Sequence, residues 1–166
     1  MVARSAVART AAVLMCATLF CGAGCFAGET GAADAGVAGA AVFAERCAVC
    51  HGPQAAGIPG TFPPLHEQVV AFAKIPDGRD YLVMVVTTGL LGSLKVGGVN
   101  YNGAMPAQSG LSEAQVAAVL NYLASNLGTS DAPAMALSAR DVTEARARHP
   151  DRSAQGTRLL RPAENP

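Results

Sequence analysis

Five consecutive residues, Cys47-Ala48-Val49-Cys50-His51, hold the densest chemistry in the chain. On a helix, two thiols at this spacing come near one face, and an imidazole follows the second directly. Such thiols can add across the two vinyl groups of a haem to give thioethers, while the adjacent imidazole ligates the iron. Other uses of the Cys-x-x-Cys pattern fit less well. A thioredoxin-like redox pair would follow a strand in a βαβ unit, and no such pattern surrounds Cys47. Half of a zinc site would need a second pair, yet beyond the leader the chain offers no further cysteine and only His66 and His149 as extra imidazoles. A plain disulfide in an exported domain is the bland alternative. The directly following His51 favours haem c, one group held through Cys47 and Cys50.

An iron held this way takes His51 as its proximal ligand. A ligating imidazole donates its other ring N–H to a carbonyl or carboxylate, which fixes its tautomer. The stiff loop containing Pro59, Pro63 and Pro64 is the natural source of that carbonyl, and Pro63 is the residue expected to supply it. The sixth position separates electron transfer from reaction at iron, and Met84, Met105, Met135, His66 and His149 compete for it. Met84 lies in an apolar helical run and reads as core. Met135 and His149 fall in the tail, where a solvated residue is the simple reading, and His66 opens a helix as a polar residue. Met105 stands in an Asn-Gly-Ala-Met-Pro loop, where a thioether can be held rigidly, and is the expected metal ligand opposite His51. With both axial positions filled there is no open site for substrate, and Met/His ligation raises the potential. That chemistry is one-electron transfer with no catalytic residues.

The elements that must position these groups are legible from pattern. Residues 1–27 read as an export signal, with Arg4 and Arg9 ahead of the apolar run Ala11 to Phe20. The run is short for a membrane span. Cleavage after Ala27, a lipoprotein junction at Cys25 and a retained uncleaved anchor are the three outcomes such a leader allows. They place the protein in the periplasm, free or attached to the membrane. Residues 28–39 read as a Gly/Ala linker. The domain follows over residues 40–128.

Within that domain a helix carries Val42, Phe43 and Arg46 into the cysteine motif and stops at Gly52-Pro53. A short helix is expected from His66 to Phe72. A turn at Ile75-Pro76-Asp77-Gly78 leads to a longer one, capped by Asp77 or Gly78, through Tyr81, Leu82, Val85 and Val86. Leu94-Lys95-Val96 and Val99-Asn100-Tyr101 flank Gly97-Gly98, the mark of a two-residue hairpin. Ser112 with Gln115 makes a capping box, opening a helix whose stripe is Val116, Val119, Leu120, Leu123 and Leu127, and Gly128 ends it. Residues 129–166 form an extension. Its part from 140 on carries six arginines against four acids, with a short helix expected near 140–148 and flexible chain elsewhere.

Composition sets the limits. Hydrophobic residues make 51% of the 166 and charged ones 14%, so the chain is not disordered overall. A formal net charge of +0 argues against nucleic-acid binding. A domain of roughly 90 residues buries a modest core, and a haem at its centre would add a large apolar body.

Taken together the residues resemble the class I c-type cytochromes, in particular bacterial monohaem domains found alone or fused to oxidases and nitrite reductases. The resemblance rests on Cys47 to His51, the Phe62-Pro63-Pro64-Leu65 run, the Gly-rich hairpin before Tyr101 to Pro106, and the helix from Leu111 to Leu127. It covers roughly residues 40 to 128. It implies an all-α fold, about four to five helices around one covalent haem, with a short Gly-Gly hairpin before the methionine loop. The function implied is periplasmic electron transport between redox partners, a dehydrogenase or reductase as donor and an oxidase or reductase as acceptor. One alternative is a haem c subunit stably bound in such a complex; another is a haem peroxidase or gas sensor with Met105 off the iron. The chain departs from the family in two ways. Its core pairs four basic residues with five acids, leaving no lysine ring, and the arginine-rich tail lies outside the family pattern.

Overall fold

The structure, a computed structural model, describes residues 38–126 and 135–163. The expected leader, most of the linker, Leu127 and Gly128 lie outside the described residues, as do the side chains of His66 and Pro76.

Helix α1 covers residues 38–51, and its middle turn, Phe43–Cys47, is π-helical before Ala48–His51 closes it. The widened turn, in which Ala48 N–H reaches back to Phe43 O, inserts one residue into the register just ahead of the cysteine motif. Gly52 ends the helix at φ 75. The loop that follows is tied to its surroundings through the backbone: Gly57 N–H donates to His51 O at 2.8 Å, Ile58 and Phe62 form an antiparallel bridge, and Leu65 N–H donates to Ala55 O at 2.9 Å.

Helix α2, His66–Ala73, packs on α3, Pro76–Thr88. Here the expected turn and cap are corrected. The helix starts at Pro76, and its N-cap is Ile75, in extended backbone at φ −121 and ψ 138. Proline suits the first helical position because it has no N–H to leave unpaired, and it forces the preceding residue out of the helical region. Asp77 then sits in the first turn, favourably placed against the helix dipole. Phe72 and Tyr81 clamp the α2–α3 pair edge to face, with centroids 5.1 Å apart.

Strands β1, Leu90–Val96, and β2, Val99–Met105, pair antiparallel from Val96↔Val99 to Leu90↔Met105. The turn is Gly97-Gly98, with φ 54 and 80, the two positive angles that a tight hairpin turn demands. The hairpin is longer than its sequence suggested. Met105 is therefore the last residue of β2, paired with Leu90, and not a member of a free loop.

Helix α4, Glu113–Asn126, opens with the expected box: Gln115 N–H donates to Ser112 Oγ at 3.3 Å and Ser112 N–H to Gln115 Oε1 at 3.0 Å. Val116, Val119, Leu120 and Leu123 are all buried, each worth about 1.5–3 kcal/mol relative to exposure. Phe43 of α1 meets Tyr122 of α4 at 5.8 Å.

Over its described residues, 135–163, the extension is folded. Helix α5, Ala139–Arg148, is capped reciprocally by Ser138 and Asp141, and a further helix, α6, Ala154–Leu159, is capped by Ser153. Flexible chain after residue 148 is thus corrected. Val142 and Ala145 bury against the core, α5 lies on α3 and α4, and α6 lies on α3 and β1.

Candidate functional site

His51 is 7% exposed and lies within the last turn of α1. Its Nδ1 is 2.8 Å from Pro63 O. A carbonyl oxygen only accepts, so Nδ1 carries the proton and, in the neutral ring, Nε2 keeps a bare electron pair. Burial pushes the imidazole's pKa below its ordinary value, with the Pro63 bond opposing. The neutral form is the one that binds metal.

Cys47 and Cys50 are not joined in a disulfide, and both are half-buried. Burial, reinforced by the neighbouring Cys50, pushes Cys47 up to about 11. A reactive redox cysteine has a lowered pKa, the opposite of the direction at Cys47.

These groups open on one cleft of about 510 Å³. Its walls come from α1, the 52–65 loop, α2, α3 and the hairpin, and Cys47, Cys50, His51, Pro63 and Met105 all line it. Val69, Phe72, Leu82, Val85 and Leu94 make the walls largely apolar. Met105 is half-buried there. The chain after it is fastened to α3 by Gln108 N–H donating to Val86 O at 2.9 Å.

Of the other candidate ligands, Met84, Met135 and His149 are elsewhere. Met84 is fully buried and Met135 is 2% exposed, and neither is among the described residues lining the cleft. Met135 is therefore core, not solvated tail. His149 faces Asp80, Nε2 to Oδ2 3.1 Å. Two thiols, a neutral imidazole, a thioether and apolar walls around one cleft fit a haem bound edge-on by its vinyl groups.

Two cationic residues of the lining escaped the sequence reading of the site, Arg46 and Arg161. Arg161 comes from the end of the extension, where only an excess of arginine was visible. Its guanidinium lies over the rings of Phe72 and Tyr81, at 5.2 and 6.0 Å, and donates to Gln68 Oε1 at 2.8 Å.

Comparison with known proteins gives the family. A family model described as cytochrome c matches residues 36–126. Two proteins named cytochrome c-552, both from Thermus thermophilus and one of them from a designated strain of that organism, are each 42% identical over 90 residues. The aligned stretch is 54% of this chain and covers 68% of the first relative and 60% of the second. Helices α5 and α6 fall beyond the family match.

Proposed function

The chain belongs to the cytochrome c family, and from that premise we propose that it is an exported one-electron carrier, not an enzyme, whose haem iron is ligated by His51 and Met105. When bound, haem c supplies a reversible one-electron change at iron. One observation carries the reading: a buried imidazole whose proton is committed to Pro63 O shares an apolar cleft with the Met105 thioether. His51 offers the iron a lone pair and cannot turn without breaking its bond to Pro63. Walls that are largely apolar place few dipoles near the iron, so a change of one charge would reorganise little around it. Val49, 80% exposed within the attachment motif, and Ile58, 53% exposed in the loop after it, offer the redox partner an apolar contact. Export is supported by the leader pattern of residues 1–27.

The test is the absorption spectrum of the full-length holoprotein. The weak near-infrared band of methionine bound to ferric iron should be present and should vanish in Met105→Ala. A wild type that lacks the band and binds small anions at iron would instead be an open-site haem protein, and the carrier reading would fall.

A further inference from the structure

Helix α3 ends against the strand that carries Met105. Gly89 follows its last residue, Thr88, with φ 82, and a Cβ there would run into Met105 O, 2.5 Å away, and meet Ala107 N at 3.0 Å. Leu90, the next residue, is the register partner of Met105. Beyond the methionine, Gln108 N–H donates to Val86 O in the last turn of α3, and Gln108 Nε2 donates to Pro106 O at 3.1 Å. Where Met105 stands is therefore set by where the end of α3 stands.

That end is fastened from its other side by α6. The hydroxyls of Thr88 and Thr157 meet at 2.6 Å, and Thr157 is 0% exposed. Thr88 Oγ1 donates to Met84 O. A hydroxyl has one proton to give, so Thr157 is the donor between the two. Its other neighbour, Ser153 O at 3.2 Å, already accepts the Thr157 N–H. Arg158, the next residue of α6, braces the hairpin as well: its side chain crosses Gly92, whose φ is 113, and its Nε donates to Ser93 O at 3.0 Å. Neither threonine is among the described residues lining the haem cleft.

A thioether is a weak, neutral donor, so its hold on iron depends on how firmly the protein presents it. We propose that Thr157 and Thr88 form a latch that keeps Met105 in place, as positioning residues for the sixth ligand that act from α6 through the end of α3 and Gly89. The proposal rests on the His51/Met105 reading above. Closed, the latch gives the end of α3 and the Met105 strand one arrangement. Open, it frees Met105 while the attachment at Cys47 and Cys50 and the bond from His51 to Pro63 stay as they are.

The experiment is replacement of the sixth ligand by added imidazole in ferric full-length holoprotein, well below its melting temperature, followed by loss of the near-infrared band. Apparent affinity for imidazole scales with the fraction of molecules in which Met105 is off the iron. Thr157→Val keeps the side-chain shape and removes the donated proton. Loss of one hydrogen bond of ordinary net strength should raise that affinity by about threefold to tenfold. Thr88→Val should do the same, and Thr157→Ser, which keeps the hydroxyl, should bind imidazole as the wild type does. Val142→Ala thins the packing of buried α5 and leaves both hydroxyls in place; it should lower the melting temperature without changing the affinity. Wild-type affinity in a folded Thr157→Val overturns the latch. So does an equal gain in Val142→Ala at an equal loss of melting temperature, because the threonines would then stabilise the fold and nothing more. If Thr157→Val does not mature, Thr88→Val is judged by the same two standards. A wild type without the near-infrared band defeats the His/Met reading and the latch together, whereas a wild type with the band and variants of unchanged affinity defeat the latch alone.

Discussion

The carbonyl of Pro63 selects which nitrogen of His51 is bare, and its position depends on a glycine six residues earlier in the chain. Gly57 has φ 68, and a Cβ there would run into Phe62 O and the Pro63 carbonyl group. Gly60, at φ 75, has open space around it. Gly60→Ala should therefore cost only left-handed backbone strain, about 1 kcal/mol. Gly57→Ala should cost more than about 2 kcal/mol, because the Pro63 segment must also move. Only Gly57→Ala should disturb the His51 imidazole. Thermal melting and the near-infrared band, measured on both variants, check this; equal melting temperatures with intact bands would show that the loop yields without moving Pro63. The choice of Pro63 was legible because a stiff loop at short range had to supply the acceptor. Nothing in the sequence around Gly57 announced the close approach, since it depends on the fold of the loop.

Between elements, the attachment of α5 to α3 turns on Asp80. Arg148 grips its carboxylate with two hydrogen bonds, Nε to Oδ2 at 2.8 Å and Nη2 to Oδ1 at 2.7 Å, while His149 Nε2 stands 3.1 Å away. The Arg148 hydrogen bonds are the main cause holding the Asp80 pKa below the usual carboxylate value, with burial opposing. A depressed folded pKa gives stability that is present above the unfolded value, about 3.9, and lost as pH falls through the folded one. Asp80→Asn should thus destabilise by about 1 kcal/mol at neutral pH, a modest figure because Arg148 is half exposed to solvent. The gap from wild type should close as the pH drops below about 4. Melting curves of the two proteins across that range decide it; a gap that persists in acid would mean that packing, not charge, joins the helices.

Local signals made several elements readable in advance. The Ser112–Gln115 box and the Gly97-Gly98 turn are satisfied within a few residues, so their chemistry is written side by side. Helix α6 is different: what holds it, Thr157 on Thr88 and Arg158 on Ser93, joins positions 69 and 65 residues apart. A short polar stretch such as Ala154–Leu159 has no apolar stripe to declare a helix, and only the surface of β1 and α3 makes it one. The same non-local dependence hid Arg161 from any reading of the site.

For the molecule as a whole, the question is whether the arginine-rich extension reaches for a partner or folds on its own domain. A docking arm would carry cations outwards. Instead Arg146 donates to Glu113 at 2.8 Å, Arg148 holds Asp80, and Arg161 lies on Phe72. With those cations engaged by groups of the same chain and a formal net charge of +0, docking to redox partners should depend on a small apolar contact and only mildly on salt. A steep fall in electron-transfer rate between low and physiological ionic strength would contradict that. Met135, Val142 and Ala145 are buried in the core by the extension. Deleting residues 131 to 166 should therefore remove roughly 3–5 kcal/mol of burial. For a domain of this size that lowers the melting temperature by about 12 °C or more. The same deletion should leave co-purification with donor or acceptor complexes unchanged. A docking arm makes the reverse pattern, unchanged melting with lost co-purification. Measuring both on one truncated holoprotein separates a clasp around the haem domain from an arm that binds another chain.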